Sequence, residues 1–251
     1  MSYLLAILAG AVQGLTEFLP VSSTGHLIIL ENLFGISQSD FGLSFDASLH
    51  LGTLTAIVAF FYKDYLKAAK SKLLKNIIIG TLPAVFFGLI FENLIETSFR
   101  QLWVVGLALI LFSLVFILAE KIGRQNKLKD KVTTFESLVI GLFQAAALVP
   151  GVSRSGSTIS AGLLLGLKRD EAAKFAFMLS GPIIAGAGAK KFFETSTNLP
   201  ASDIGFFLIG MLSSAIFGYL TIKYFLKYLS TKTLYPFVIY RVILGLILIL
   251  I

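Results

Sequence analysis

Ten apolar segments separated by short polar stretches make up most of the chain, and they restrict the folds open to it. Hydrophobic residues form 56% of the 251 residues and charged residues only 14%. One soluble core could not bury that much apolar surface. The sequence therefore predicts an all-α polytopic membrane protein. Its apolar segments are 1–19, 22–35, 44–62, 76–96, 102–119, 135–150, 155–167, 172–189, 204–226 and 235–251.

Two of these segments, 22–35 and 155–167, are too short to cross a bilayer comfortably, because a spanning helix needs about 20 apolar residues. Each follows a break that contains proline and a serine-rich turn. A short broken pair of this kind is typical of a re-entrant helical hairpin, whose irregular backbone must be surrounded by protein or by a water-filled cavity. The sequence thus predicts six transmembrane helices plus two re-entrant helical hairpins.

The chain also repeats itself at a distance of 131 residues. The stretch GAVQGLTEFLPVSSTGHLI (10–28) aligns without gaps to GLFQAAALVPGVSRSGSTI (141–159), and later apolar segments superimpose at the same offset. This pattern indicates an internal duplication. Because each half has one hairpin and three crossings, an odd number, we expect an inverted-topology repeat. The expected organisation is one membrane domain, 1–251, with repeat one at 1–120, repeat two at 135–251 and a cytoplasmic linker at 121–134.

The distribution of basic residues predicts the orientation. The formal net charge is +7, and most of the 21 Lys and Arg residues lie in the polar stretches 63–75, 121–131, 168–174 and 223–232. The other side carries only Arg100, Lys190 and Lys191. By the positive-inside rule the richer side is cytoplasmic, so both termini are expected to be extracytoplasmic. Charges at the ends of apolar segments indicate topology and lipid contact, and we expect no nucleic acid partner.

An inverted repeat would bring the two hairpin tips, PVSSTGH (20–26) and PGVSRSGS (150–157), together near the membrane midplane. Their serines can cap helices, and helix N-termini attract anions such as phosphate. Arg154 could bind two oxygens of the same anion. Alternatively, the serines only cap and Arg154 pairs with Glu17 as a buried strut. An arginine at this depth costs about 2.5–3.5 kcal/mol, which favours a functional role.

Three further polar residues lie at or before the first tip. Gln13 and Glu17 are one helical turn apart, so they share a face and could offer a hard cation two oxygen ligands. His26 could act as a general acid or base or attack phosphorus, although a lone histidine in an apolar segment is more often a structural hydrogen-bonding residue. The same alternative applies to His50.

The stretches QGLTEFLPVSSTGH and PGVSRSGST resemble the two signature motifs of the undecaprenyl-diphosphate phosphatase family, the integral-membrane bacitracin-resistance proteins of bacteria. The second stretch fits the family pattern PGxSRSxxT at every fixed position. The resemblance extends over essentially the whole chain. One position is less typical, since Gln13 stands where many members have Glu, and an amide binds a cation less strongly than a carboxylate does.

The resemblance implies a hydrolase of the phosphoric anhydride class, located in the bacterial cytoplasmic membrane. It would convert undecaprenyl diphosphate to undecaprenyl phosphate and inorganic phosphate, recycling the lipid carrier for peptidoglycan and other envelope polymers. A divalent cation, magnesium or calcium, would be required, with Glu17 and Gln13 as metal ligands. The implied catalytic residues are Glu17, Ser23, His26 and Arg154. The implied substrate-binding residues are Ser22, Thr24, Ser153, Ser155, Gly156 and Thr158.

Other hypotheses stay open at the level of sequence. Inverted repeats with broken hairpins also describe secondary transporters, and a flippase of a polyprenyl phosphate lipid is the sharpest rival. A type-2 phosphatidic acid phosphatase is disfavoured, because no histidine follows Arg154. A purely structural role would leave three buried ionisable residues unexplained. The expected partners are a polyisoprenyl diphosphate lipid and the membrane, and a homodimer is a further option. We expect the site to open on the extracytoplasmic side, and either Ser23, His26 or a metal-activated water could attack phosphorus.

Overall fold

The computed structural model describes residues 2–35, 40–196 and 203–250. Each predicted apolar segment contains one α-helix in this part of the chain, which confirms an all-helical protein; Met1 and Ile251, at the ends of the first and last segments, lie outside it. The helices are α1 Tyr3–Phe18, α2 Ser23–Phe34, α3 Asp40–Ala68, α4 Lys72–Glu96, α5 Leu102–Ile122, α6 Thr134–Ala146, α7 Arg154–Leu164, α8 Arg169–Ser196, α9 Ile204–Leu229 and α10 Tyr235–Leu250.

Five of these helices are long and apolar enough to cross a membrane, namely α3, α4, α5, α8 and α9. They make the chain a polytopic membrane protein. The sixth predicted crossing, 235–251, corresponds to α10, which is apolar but has only 16 residues. At 1.5 Å per residue, α10 is about 24 Å long, somewhat shorter than the roughly 30 Å hydrocarbon core. The apolar helices α1 and α6 are also shorter than a full span.

Equivalent helices of the two halves make equivalent contacts. Helix α1 packs against α9, and its counterpart α6 packs against α4. Glycines allow close contact in both helix pairs. A Cβ built on Gly10 would lie 2.3 Å from the Gly210 carbonyl oxygen, and one built on Gly141 would lie 2.4 Å from the Gly80 carbonyl oxygen. Helix α3 also contacts α8, and α5 contacts α10. The halves therefore interlock, with the first helix of each on the fourth helix of the other.

The two short hairpins lie inside this arrangement. Helix α1 turns back into α2, and α6 turns back into α7, with each pair packed together. Helix α5 contacts both α2 and α7, while α8 contacts α7. Below the first tip, the ring of Phe18 packs edge-on against Phe177 with centroids 5.2 Å apart. The neighbouring helices thus keep the polar hairpin tips, where Ser22 and Ser153 are both buried, away from lipid.

Candidate active site

The two hairpin tips have the same unusual backbone conformation. Ser22 has φ of 73° and Ser153 has φ of 74°, in the left-handed region that residues other than glycine rarely adopt. Each serine is the N-cap of the helix that follows, and its Oγ accepts a hydrogen bond from the backbone N–H three residues on, in Gly25 at 3.4 Å and Gly156 at 3.3 Å. The first residues of α2 and α7 are therefore Ser23 and Arg154, at equivalent positions.

Direct hydrogen bonds join the tips to each other. Ser22 Oγ also accepts the backbone N–H of Gly151 at 3.0 Å. In the other direction, Ser155 Oγ donates to the Leu19 carbonyl oxygen at 3.0 Å. The sequence-based expectation that PVSSTGH and PGVSRSGS lie together is thus met by contacts between them. Two helix N-termini, each with unpaired backbone N–H groups, consequently face one region.

Arg241 of α10 holds the tips from behind, and the sequence analysis gave it no role. Its guanidinium donates to the carbonyl oxygens of Gly151 at 3.0 Å, Leu109 at 3.1 Å and Pro20 at 3.4 Å, and to Ser113 Oγ at 3.1 Å. The residue is fully buried. Because Pro20 and Gly151 belong to different tips, Arg241 fixes one tip relative to the other. The energetic cost of an arginine in an apolar segment was the available signal, but three of its four partners are backbone carbonyl oxygens that only the fold brings together.

A cleft of about 310 Å³ opens between the tips. Its walls combine one carboxylate, one guanidinium and hydroxyl groups from both hairpins. Its dimensions suit a small anionic group rather than a large molecule. The lining residues are Glu17, Ser22, Ser23, Thr24, Ala147, Val149, Pro150, Ser153 and Arg154.

Glu17 is the centre of the polar contacts in the cleft. Ser23 Oγ donates a hydrogen bond of 2.6 Å to Glu17 Oε2. The Gln13 amide donates to the same oxygen at 3.0 Å. A hydroxyl bonded to a carboxylate at the start of a helix is the arrangement of a nucleophile with its base. Glu17 and Ser23 are therefore close enough for direct proton transfer.

Two cationic or basic groups approach the same carboxylate. Arg154 Nη1 lies 3.5 Å from Glu17 Oε1, and His50 Nε2 lies 3.6 Å from Glu17 Oε2. Arg154 Nη1 is buried and has no hydrogen-bond partner among the described residues. The pair is thus an ion pair whose guanidinium retains a free donor for an anion. The strut alternative explains the position of Arg154 but not this free donor.

Gln13 and Glu17 provide two oxygen-bearing side chains on one face of α1, as expected. Gln13 Oε1 is buried and finds no hydrogen-bond partner within the described part of the chain. An unpaired amide oxygen beside a carboxylate fits a hard cation such as magnesium or calcium. Within residues 2–35, 40–196 and 203–250, no three His, Cys, Asp or Glu side chains group together as a metal site. A cation here would need oxygens of its substrate as further ligands.

His26 points away from the cleft. Its Nδ1–H donates to the Ser22 carbonyl oxygen at 2.8 Å, and its Nε2 lies 2.6 Å from the Tyr240 hydroxyl, with which the ring also stacks. Both ring nitrogens are therefore occupied. The structure does not bring His26 to Glu17, whereas His50 reaches that carboxylate. A catalytic role of His26 stays a prediction.

The remaining predicted substrate-binding residues divide into two groups. Thr24 and Ser153 line the cleft, and Ser155 lies behind it beside Glu17 and Arg154. By contrast, Thr158 Oγ1 donates to the Arg154 carbonyl oxygen at 2.7 Å and is buried in its own helix. Gly156 has a steric role, because an added Cβ would lie 2.0 Å from the Phe116 ring.

Comparisons with known proteins match this chain over nearly all of its length. The family model described as "Bacitracin resistance protein BacA" matches residues 6–247. Three similar relatives carry the name undecaprenyl-diphosphatase. That of Rubrobacter xylanophilus is 45% identical over 96% of this chain and 95% of its own. That of Thermodesulfovibrio yellowstonii is 44% identical over 98% of this chain and 95% of its own. That of Moorella thermoacetica is 41% identical over 98% of this chain and 96% of its own.

Proposed function

The chain belongs to the bacitracin resistance protein BacA family, and we propose that it hydrolyses undecaprenyl diphosphate in the cleft between its two hairpin tips. The reaction is that named for its relatives, and its products would be undecaprenyl phosphate and inorganic phosphate. The chain is thus a membrane-embedded phosphatase of a polyisoprenyl diphosphate lipid. The carrier it releases is needed for peptidoglycan and other envelope polymers.

One observation supports this location above the others: the Ser23 hydroxyl donates to Glu17 Oε2 at 2.6 Å, and Arg154 Nη1 lies 3.5 Å from the other oxygen of the same carboxylate. A phosphoryl-transfer site needs a nucleophile, a base and positive charge aimed at the nonbridging oxygens. The cleft combines all three with two helix N-termini. The diphosphate would enter this polar cleft while the apolar isoprenoid chain stays outside it.

Ser23 is the proposed nucleophile and Glu17 its general base. Ser23 Oγ forms a bond to the terminal phosphorus while its proton passes to Glu17. The bond from that phosphorus to the bridging oxygen breaks, and its electron pair leaves with undecaprenyl phosphate. Water then attacks the phosphoserine, releases inorganic phosphate and restores the Ser23 hydroxyl. Arg154 and the free N–H groups of α2 and α7 stabilise the charge on the nonbridging oxygens.

A divalent cation is part of the proposal. When bound, such an ion neutralises charge on the diphosphate and orients its oxygens. In this chain, the Glu17 carboxylate and the unpaired Gln13 amide oxygen would hold it. His50, whose Nδ1–H donates to the Asp46 carbonyl oxygen at 2.8 Å, would keep its ring oriented toward Glu17.

For the membrane arrangement we retain six crossings plus two re-entrant hairpins, an inverted repeat, and both termini on the extracytoplasmic side of the bacterial cytoplasmic membrane. The equivalent contacts of α1 with α9 and of α6 with α4 support a two-fold arrangement. The basic stretches between α3 and α4 and between α5 and α6 support the orientation. A homodimer stays a prediction.

The proposal is tested by phosphate release from undecaprenyl diphosphate by the purified protein in detergent. We expect chelation to stop release and added magnesium or calcium to restore it. Arg154→Ala should reduce turnover by about 100-fold or more, the usual loss for one donor to transition-state charge. Arg124→Ala, at an exposed position, is the matched control and should keep wild-type turnover. Wild-type turnover by Arg154→Ala would refute this location, and no release by the folded wild type would favour a transporter.

A further inference from the structure

Two apolar grooves adjoin the cleft, and they differ in how they meet it. Groove A, between α4, α6 and α8, has a volume of about 1190 Å³, part of it open to the surroundings, and includes Arg154 in its wall. Groove B, between α4 and α6, is likewise open, has a volume of about 700 Å³ and meets the cleft at Val149. Leu148 and Ile95 line both grooves and so form the wall between them. The substrate chain could leave the cleft by either route.

The inner end of groove A carries polar atoms that have no protein partner. Gln144, which is 1% exposed, contributes an Oε1 atom without a hydrogen-bond partner in the described chain. Arg154, whose Nη1 is also unpaired there, lines both the cleft and this groove. The residues that line groove B are all apolar. Only groove A therefore joins a polar inner end to an apolar channel, as a ligand with an anionic head and a hydrocarbon chain requires.

Small residues keep groove A open. Gly88 of α4 faces Leu148, whose methyl carbons would lie 3.8 and 3.9 Å from a Cβ built on the glycine. On α8, a Cβ added to Gly186 would meet no atom within 4 Å, although the residue lines the groove. A Cβ at Gly186 would therefore enter open space, and a side chain built from it would occupy part of the groove. This position can be used to fill the groove selectively.

Resting on the proposed function, we propose that groove A binds the polyisoprenyl chain of the substrate and that Gly186 determines how much of that chain it accepts. The diphosphate lies in the cleft and extends to Arg154 and Gln144 at the inner end of groove A, and the polyisoprenyl chain lies between α4 and α8. The outer end of the groove lies at the ion pair of Lys190 with Glu92, whose Nζ and Oε1 atoms are 2.5 Å apart. That end lies on the side predicted to be extracytoplasmic.

The test compares two substrates, undecaprenyl diphosphate and the much shorter farnesyl diphosphate, in the purified full-length protein. Gly186→Phe should lower kcat/KM for the long substrate by about tenfold or more, since a long apolar chain would lose part of its binding surface. The value for farnesyl diphosphate should change by less than about twofold. A graded series, Gly186→Ala, Gly186→Leu and Gly186→Phe, should increase the discrimination with side-chain size.

Leu142→Trp is the matched variant for groove B, because Leu142 lines that groove and is half exposed. It should leave the ratio of the two kcat/KM values unchanged. A selective loss of the long substrate in Leu142→Trp, with none in the Gly186 series, would overturn the assignment in favour of groove B. An equal loss of both substrates along the Gly186 series would also overturn it. A wild-type protein that releases phosphate from neither substrate would instead refute the proposed function.

Discussion

The two hairpin tips are alike in backbone and different in chemistry. Ser22 and Ser153 share a positive φ, the same cap hydrogen bond and a following helix of similar length. The residue five positions before the serine is Glu17 in the first tip and Leu148 in the second. The carboxylate is thus present once, while the capped backbone turn is present twice.

A second difference concerns the first helical residue after each serine. It is Ser23 in the first tip and Arg154 in the second, so the proposed nucleophile and the cation occupy equivalent positions in the two tips. Where the first tip has Glu17 in the cleft, the second has Leu148 in the apolar grooves. A repeated backbone conformation can therefore form one asymmetric site, with the proposed phosphate chemistry on one side and the proposed hydrocarbon groove on the other.

Replacing Glu17 by leucine, the residue found at the equivalent position 148 of the second tip, should have the largest effect on turnover. Glu17→Leu removes the proposed base, and we expect kcat to fall by about 10²- to 10⁴-fold, the usual contribution of a general base. Phosphate release from undecaprenyl diphosphate measures it. Glu194→Leu, at an exposed site on α8, is the control for the same substitution elsewhere. Undiminished turnover by Glu17→Leu would mean that the difference between the tips is not what produces catalysis.

Replacing Arg241, which donates hydrogen bonds to both tips, should have the next largest effect on turnover. Arg241→Leu leaves the Gly151 and Pro20 carbonyl oxygens without this donor, at about 1–3 kcal/mol for each group left unsatisfied, whereas the Leu109 carbonyl oxygen keeps the Ser113 hydroxyl. We expect a lower thermal unfolding temperature and, because misplaced tips lose alignment, turnover reduced by about tenfold to 100-fold. Arg124→Leu provides the comparison. If Arg241→Leu kept both values, the tips would hold their spacing without Arg241.

The glycine contacts between α1 and α9 and between α6 and α4 test whether the two helix pairs are equally sensitive to added volume. Gly10→Ala and Gly141→Ala each force a Cβ against a backbone oxygen, at 2.3 Å and 2.4 Å. We expect both to lower stability by a similar amount, about 1–3 kcal/mol, measured as thermal unfolding in detergent. Gly186→Ala adds the same atom in open space and should not destabilise. A loss of stability in only one of the two variants would show that the two helix pairs do not contribute equally to stability.

The smallest effect concerns the strained serines themselves. Alanine at Ser22 or Ser153 would lose the cap and keep the unfavourable φ, whereas glycine would lose the cap but adopt this φ without strain. At each site we expect the glycine variant to be more stable than the alanine variant by about 1–2 kcal/mol. Thermal unfolding of the four variants gives the comparison. A more stable alanine variant at either site would contradict the shared backbone conformation.

Sequence patterns predicted the elements of this molecule better than its contacts. The ten apolar segments all contain helices, although α3 and α8 extend past 44–62 and 172–189 because their polar ends continue the helix. The meeting of Glu17 with Arg154 could be anticipated, since both are charges that lipid would not tolerate. The role of Arg241 could not, because its partners are mostly carbonyl groups without a sequence signature. Nor does spacing show that His26 turns toward Tyr240 while His50 reaches Glu17.

The most direct test of the central claim is to trap the phosphorylated protein. Undecaprenyl diphosphate radiolabelled in its terminal phosphate would be mixed with the purified protein, quenched in acid within a single turnover, and the labelled residue identified by peptide mapping. We predict label on Ser23 and none in Ser23→Ala, which should also lose turnover. A Ser23→Ala protein that hydrolyses the substrate at the wild-type rate would contradict the account.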